Sequence, residues 1–160
     1  MSNILKKYKS YIVSVLIALA VGGLSALLTK DNMNIYSQIN MPSFAPPPVV
    51  FAIVWPILYV LMGISSGGIF DALKGDRERR SAVLTIYGVN LGVNFLWSII
   101  FFNLRAFMFS FIWLLLLAGV IIVMIKEFAR VKKWLGYLQI PYLLWVAFAG
   151  VLNLAIYMMN

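Results

Sequence analysis

Three groups of side chains in this sequence are suited to holding a ligand. Asn90, Asn94 and Trp97 recur at spacings of four and three, which puts two amides and an indole on one helical face. Trp55 and Tyr59 stand at i and i+4, so their rings project from a second common face. Tyr142, Trp145 and Ala149 share a third, with Asn153 one turn further on. The chemistry on offer is stacking against flat apolar surfaces, with a few hydrogen bonds to fix orientation. No acid–base pair or activated nucleophile accompanies it. The chain has no cysteine and no histidine, which removes disulfides, zinc sites, thiol nucleophiles, Ser-His-Asp triads and histidine-ligated haem. Each amide has a second use as interhelical glue, worth about 0.6 kcal/mol on average within a membrane. Trp and Tyr also gather in interfacial belts, a role that fits Trp134 and Tyr157 better than Trp97 or Trp145, which lie deeper in their stretches.

The elements that must position these groups are membrane helices. Of 160 residues, 63% are hydrophobic and 11% charged, against about half and a quarter in a soluble domain. Five stretches meet the about 20 apolar residues that a span requires: 11–29, 49–70, 82–102, 107–125 and 135–158. The fold class expected is an all-α membrane protein, a single domain over 1–160 built as a five-helix bundle. The lysines before the first stretch resemble the start of a signal peptide, but the run is long enough to span and is read as the first membrane helix.

Net charge is +8, and its placement speaks for topology rather than nucleic acid. Lys6, Lys7 and Lys9 precede the first span. Lys74, Arg77, Arg79 and Arg80 follow the second, and Lys126, Arg130, Lys132 and Lys133 follow the fourth. The alternate connections hold only Lys30 and Arg105. By the positive-inside pattern the N-terminus is cytoplasmic and the C-terminus outside. No ionisable side chain lies well inside a span, which counts against ion-coupled transport.

Prolines punctuate the site-bearing helices. Pro46, Pro47 and Pro48 suit extended residues and a first helical turn, so the second helix is expected to begin near Pro48 or Val49. Pro56 and Pro141 are expected to bend the second and fifth helices. Gly63 and Gly67 on the second helix, and Gly88 and Gly92 on the third, are GxxxG pairs that let backbones approach. Gly88 and Gly92 lie about 200° from Asn90 and Asn94 round the helix, which makes them the better candidates for a homodimer contact. The 30–47 connection is long for a small bundle and is read as a lid.

These residues, in this order, resemble the translocator protein family, also known as tryptophan-rich sensory protein or peripheral benzodiazepine receptor (TspO/MBR). The resemblance covers nearly the whole chain. It is carried by Pro46-Pro47 with Phe51, Trp55 and Leu58-Tyr59, by Asn94, Trp97 and Phe101-Phe102, and by Pro141-Tyr142, Trp145 and Leu152-Asn153. It implies a five-helix, often dimeric bundle, with a pocket between the helices capped by the first loop. The implied ligands are protoporphyrin IX and other tetrapyrroles, isoquinoline carboxamide drugs and, in animals, sterols. The ligand-binding residues so implied are Phe51, Trp55, Tyr59, Asn90, Asn94, Trp97, Tyr142, Trp145 and Ala149. Some bacterial members promote light-dependent breakdown of protoporphyrin, and Trp55 and Trp145 match the tryptophans linked to that chemistry. The pattern is that of a bacterial member, expected in the cell membrane. Three positions depart from it: Phe44 and Val49 stand where many members have Trp, and Leu154 takes the Tyr position of the animal sterol motif. Three functions are set side by side: a receptor or carrier for porphyrin-like ligands, a light-driven porphyrin-degrading enzyme, and a structural membrane scaffold. Protoporphyrin IX enters as ligand or substrate, and no resident cofactor or metal is expected.

Overall fold

A computed structural model describes residues 2–160. Five helical segments in it are long and apolar enough to cross a membrane. Helix α1 (Ser2–Thr29) runs on into a 3-10 helix (Lys30–Ser37). Helices α2 (Pro48–Ala72), α3 (Arg77–Ser98) and α4 (Phe107–Val131) follow, then a short α5 (Lys133–Tyr137) and α6 (Ile140–Met159). Helix α1 packs along α2, while α4 packs against α3, α5 and α6.

Local chemistry sets the boundaries. Pro48 opens α2, where its missing N–H costs no intrahelical bond. The Asp76 carboxylate accepts from the Arg79 amide at 3.0 Å and caps α3, so this helix includes the arginines that precede its apolar run. Arg105 turns the chain between α3 and α4 with φ 50°. The fifth span differs from the continuous helix expected over 135–158. It breaks at Leu138 and Gln139, and Pro141 lies in the first turn of α6. Pro141 therefore starts a helix rather than bending one, because only in a first turn does its missing N–H leave no gap in the helical ladder.

The end of α3 holds an element invisible in the sequence. Residues Ile99–Asn103 form a π-helical turn, with the Leu104 amide bonded to the Ile99 carbonyl at 3.0 Å. The wider turn admits one more residue per revolution. It allows Phe101 to stack on Trp97 at 5.5 Å while Phe102 meets Tyr36 edge-on at 5.9 Å.

The two halves of the bundle are filled differently. Towards the 74–80 connection, Met62, Ile69, Leu117, Ile121, Met124 and Phe128 are fully buried in a solid core. Gly63 and Gly67 serve packing here: a Cβ at Gly63 would lie 2.4 Å from the Val15 Cα, and one at Gly67 2.8 Å from the Tyr11 Cα. Gly88 and Gly92 have open space at the Cβ position, on the outer face of α3. Towards the 30–47 segment the helices enclose a cavity.

Candidate functional site

The cavity has a volume of about 520 Å³ and lies between α1, the 3-10 helix, α2 and α3. Phe51, Trp55 and Tyr59 line it from α2, and Asn94, Trp97 and Ser98 from α3. Phe102 of the π-helical turn and Met33 and Tyr36 of the 3-10 helix close the end. Leu19, Gly22, Gly23, Ser25, Ala26 and Thr29 of α1 form the remaining wall. The rings are in mutual contact. Trp55 lies 5.9 Å from Tyr59 and 6.3 Å from Trp97, centroid to centroid, and Tyr36 stacks on Phe51 at 5.7 Å. Offset aromatic contacts of this kind stiffen a wall beyond what area burial gives.

Polar groups on the wall are few, and several are paired within the protein. The Asn94 amide donates to the Tyr59 hydroxyl at 3.1 Å. That bond uses a lone pair of the phenol oxygen and leaves its proton to donate to a ligand acceptor. The Trp97 indole N–H donates to Asn153 at 3.4 Å, and Asn153 also accepts from Ser110 at 2.8 Å and donates to the Phe107 carbonyl at 2.8 Å. Asn153 thus clamps α3, α4 and α6 together. Thr29 donates back to the Ser25 carbonyl at 2.9 Å.

Of the residues singled out in the sequence, five meet on this wall: Phe51, Trp55, Tyr59, Asn94 and Trp97. Asn90, Tyr142, Trp145 and Ala149 are not among its lining residues. Asn90 is fully buried; its oxygen accepts from the Tyr142 hydroxyl at 2.8 Å and its nitrogen donates to the Met62 sulfur at 3.7 Å. Tyr142 packs edge-on against Trp55 at 6.4 Å, and Trp145 stands behind Phe51 at 5.5 Å. These residues back the wall. Ala149 is buried in the bundle core.

Sequence reasoning did not single out the α1 wall. Gly22 fits so closely under Tyr59 that a Cβ there would lie 2.5 Å from its ring. The neighbouring Gly23 has nothing within 4 Å of its Cβ position. A small-residue patch on an otherwise uniform apolar helix was the available signal, and it carried no aromatic or amide to draw notice.

The lid is pinned at several points. Ile35 is fully buried. Asn32 donates to Asn103 at 2.9 Å, and Arg105 donates to Gln38 at 2.7 Å. The Asn40 amide donates to the Asn160 side chain at 2.9 Å, and the Asn160 side chain donates back to the Asn40 carbonyl at 2.9 Å.

Fold and cavity together define a small multi-pass α-helical membrane protein with an aromatic-walled cavity near one end. Its sequence matches the TspO/MBR family over residues 14–159. It is 34% identical over 159 residues to the tryptophan-rich protein TspO of Archaeoglobus fulgidus, covering 99% of each chain. It is 32% identical over 145 residues to the protein of the same name in Chlorobaculum tepidum, covering 90% of this chain and 91% of that one. It is also 32% identical over 133 residues to the translocator protein of Bos taurus, covering 82% and 79%. The chain belongs to the TspO/MBR family.

Proposed function

We propose that this protein is a membrane receptor or carrier for flat apolar ligands, protoporphyrin IX and isoquinoline carboxamides among them, bound between α1, α2 and α3. The observation that carries this is the cavity wall, six aromatic side chains from four elements around about 520 Å³, with the Tyr59 phenol proton not used by its bond to Asn94. Apolar pockets with a few placed polar groups are the usual form of small-molecule sites. With no histidine or cysteine in the chain, a metal-free porphyrin suits the wall better than haem. Thermal unfolding in detergent tests this across porphyrins, sterols and carboxamides, since a ligand that binds only the folded form raises stability. A flat response to every compound would leave a structural scaffold as the better reading.

A second reading is light-dependent breakdown of protoporphyrin, favoured by the contact between Trp55 and Trp97 on the cavity wall. The bound porphyrin is its own photosensitiser; excited by light it takes an electron from tryptophan and passes it to dissolved dioxygen, the oxidant consumed as the ring is broken. Trp55→Phe retains the apolar wall and should keep binding while losing light-dependent turnover. Trp145→Phe should do the same if an oxidising equivalent passes through Phe51 to the second layer. Trp134, which is 46% exposed, is the control.

In the cell membrane, the N-terminus and the 74–80 connection face the cytoplasm and the lid faces outward. The basic residues at one end of the bundle support this orientation. Cysteines at Ser37 and Gly75, introduced singly into this cysteine-free chain, should label oppositely with an impermeant thiol reagent in intact cells. A homodimer through the open α3 face at Gly88 and Gly92 completes the reading, and Gly88→Leu should shift it towards monomer.

A further inference from the structure

The cavity has one wall that does not close. Gly23 and Ala26 of α1 and Ala52 and Pro56 of α2 line the cavity and are exposed. They flank the seam between the two helices, and Ala52 and Pro56 lie about 6–12 Å below the start of α2 by helical rise. An outward-facing side of a membrane span at that depth meets acyl chains.

The backbone at this seam adds a second observation. Pro56 has no N–H, so the Ala52 carbonyl lacks its donor four residues on. An unpaired carbonyl is costly against lipid, and is tolerated where it lines a cavity or polar path. Ala52 is one of the residues that line the cavity. The lid, by contrast, is pinned to α3, to the α3–α4 turn and to the C-terminus of α6 through Asn103, Arg105 and Asn160. Opening it breaks several hydrogen bonds and the Tyr36–Phe51 stack.

We infer that the α1–α2 seam is a side door: membrane-dissolved ligands reach the cavity from the bilayer between Gly23/Ala26 and Ala52/Pro56, with the lid shut. Access is thereby restricted to flat molecules that partition into lipid. This rests on the pocket reading above and adds the route.

Gly23 makes the test clean, because its Cβ position is open. A Trp or Leu there begins from an unobstructed Cβ. Stopped-flow quenching of tryptophan fluorescence by protoporphyrin IX, delivered in phosphatidylcholine nanodiscs holding the protein, reads both rates. Gly23→Trp should slow association by about tenfold or more, and Gly23→Leu by less. A cysteine pair at Asn40 and Asn160, joined by a short bifunctional thiol reagent, should leave both rates unchanged. Slowing by that cross-link overturns the side door, and so do unchanged rates in Gly23→Trp. A loss of affinity with unchanged association in Gly23→Trp also overturns it, since residue 23 would then belong to the site and not to its mouth. Wild-type protein that binds neither protoporphyrin nor an isoquinoline carboxamide defeats the pocket reading and the route with it. Wild type that binds with rates indifferent to residue 23 defeats the route alone.

Discussion

Towards the 74–80 connection, α1 and α2 meet backbone to backbone. Gly63 and Gly67 lie against Val15 and Tyr11, and the Ser10 hydroxyl donates to Asp71 at 2.5 Å. Towards the lid the same two helices enclose a cavity, and Gly23, Ala26, Ala52 and Pro56 border a seam. Both halves rely on small residues, with opposite consequences. In lipid there is little hydrophobic drive to bring helices together, so close contact depends on van der Waals fit and hydrogen bonds. Where the small residues of one helix meet the backbone of the other, the fit is tight. Where large rings intervene, the small residues leave room. In the closed half Asn90 and Tyr142 satisfy each other, whereas in the open half Tyr59 keeps a proton free.

The comparison breaks most forcefully at Gly63. Gly63→Leu forces a side chain into the α1 backbone, which no rotamer relieves, and should cost about 3 kcal/mol or more. Its yield as folded protein in detergent should collapse. A next test lies at Asn90. Asn90→Leu leaves the Tyr142 hydroxyl buried without its acceptor and should destabilise by about 1–3 kcal/mol, read as a lower unfolding temperature. Protoporphyrin affinity measured on the folded fraction should hold. Weakened binding at an unchanged unfolding temperature would move Asn90 into the site. Tyr59→Phe removes one free proton of the open half. Ligands with a carbonyl or carboxylate acceptor should lose about 1 kcal/mol in a binding titration, while hydrocarbon-like ligands stay level. The smallest effect is expected at Gly23→Ala. With nothing near its Cβ and a better helix former in place, stability should stay level or rise by up to about 1 kcal/mol. A Gly23→Ala as damaging as Gly63→Ala would erase the distinction between the halves.

Much of this was legible in the sequence. Asn90, Asn94 and Trp97 share the buried face their spacing required, and Trp55 and Tyr59 project together. Periodicity assigns a face, however, and does not say which groups on it pair with protein. Asn90 and Asn94 look alike along the chain, yet one bonds to Tyr142 behind the wall and the other to Tyr59 on it. The role of α1 was hidden because its contribution is the absence of side chains at Gly22 and Gly23. The π-helical turn left no mark either, since Ile99–Asn103 is as apolar as the helix before it. Pro141 misled because a proline inside a long apolar run reads as a bend, and only the break at Leu138 and Gln139 makes it a helix start.

The central claim is that ligand sits against the rings of the α1–α2–α3 cavity. It is tested most directly by equilibrium titration of protoporphyrin IX against wild type, Trp55→Ala and Trp134→Ala, each first shown to be folded. Removing the central ring of the wall should weaken binding by about tenfold, the equivalent of a stacking contact and its buried area. Trp134→Ala, altered at an exposed position, should bind as wild type does. Equal affinity for wild type and Trp55→Ala, or an equal loss in Trp134→Ala, would contradict the account.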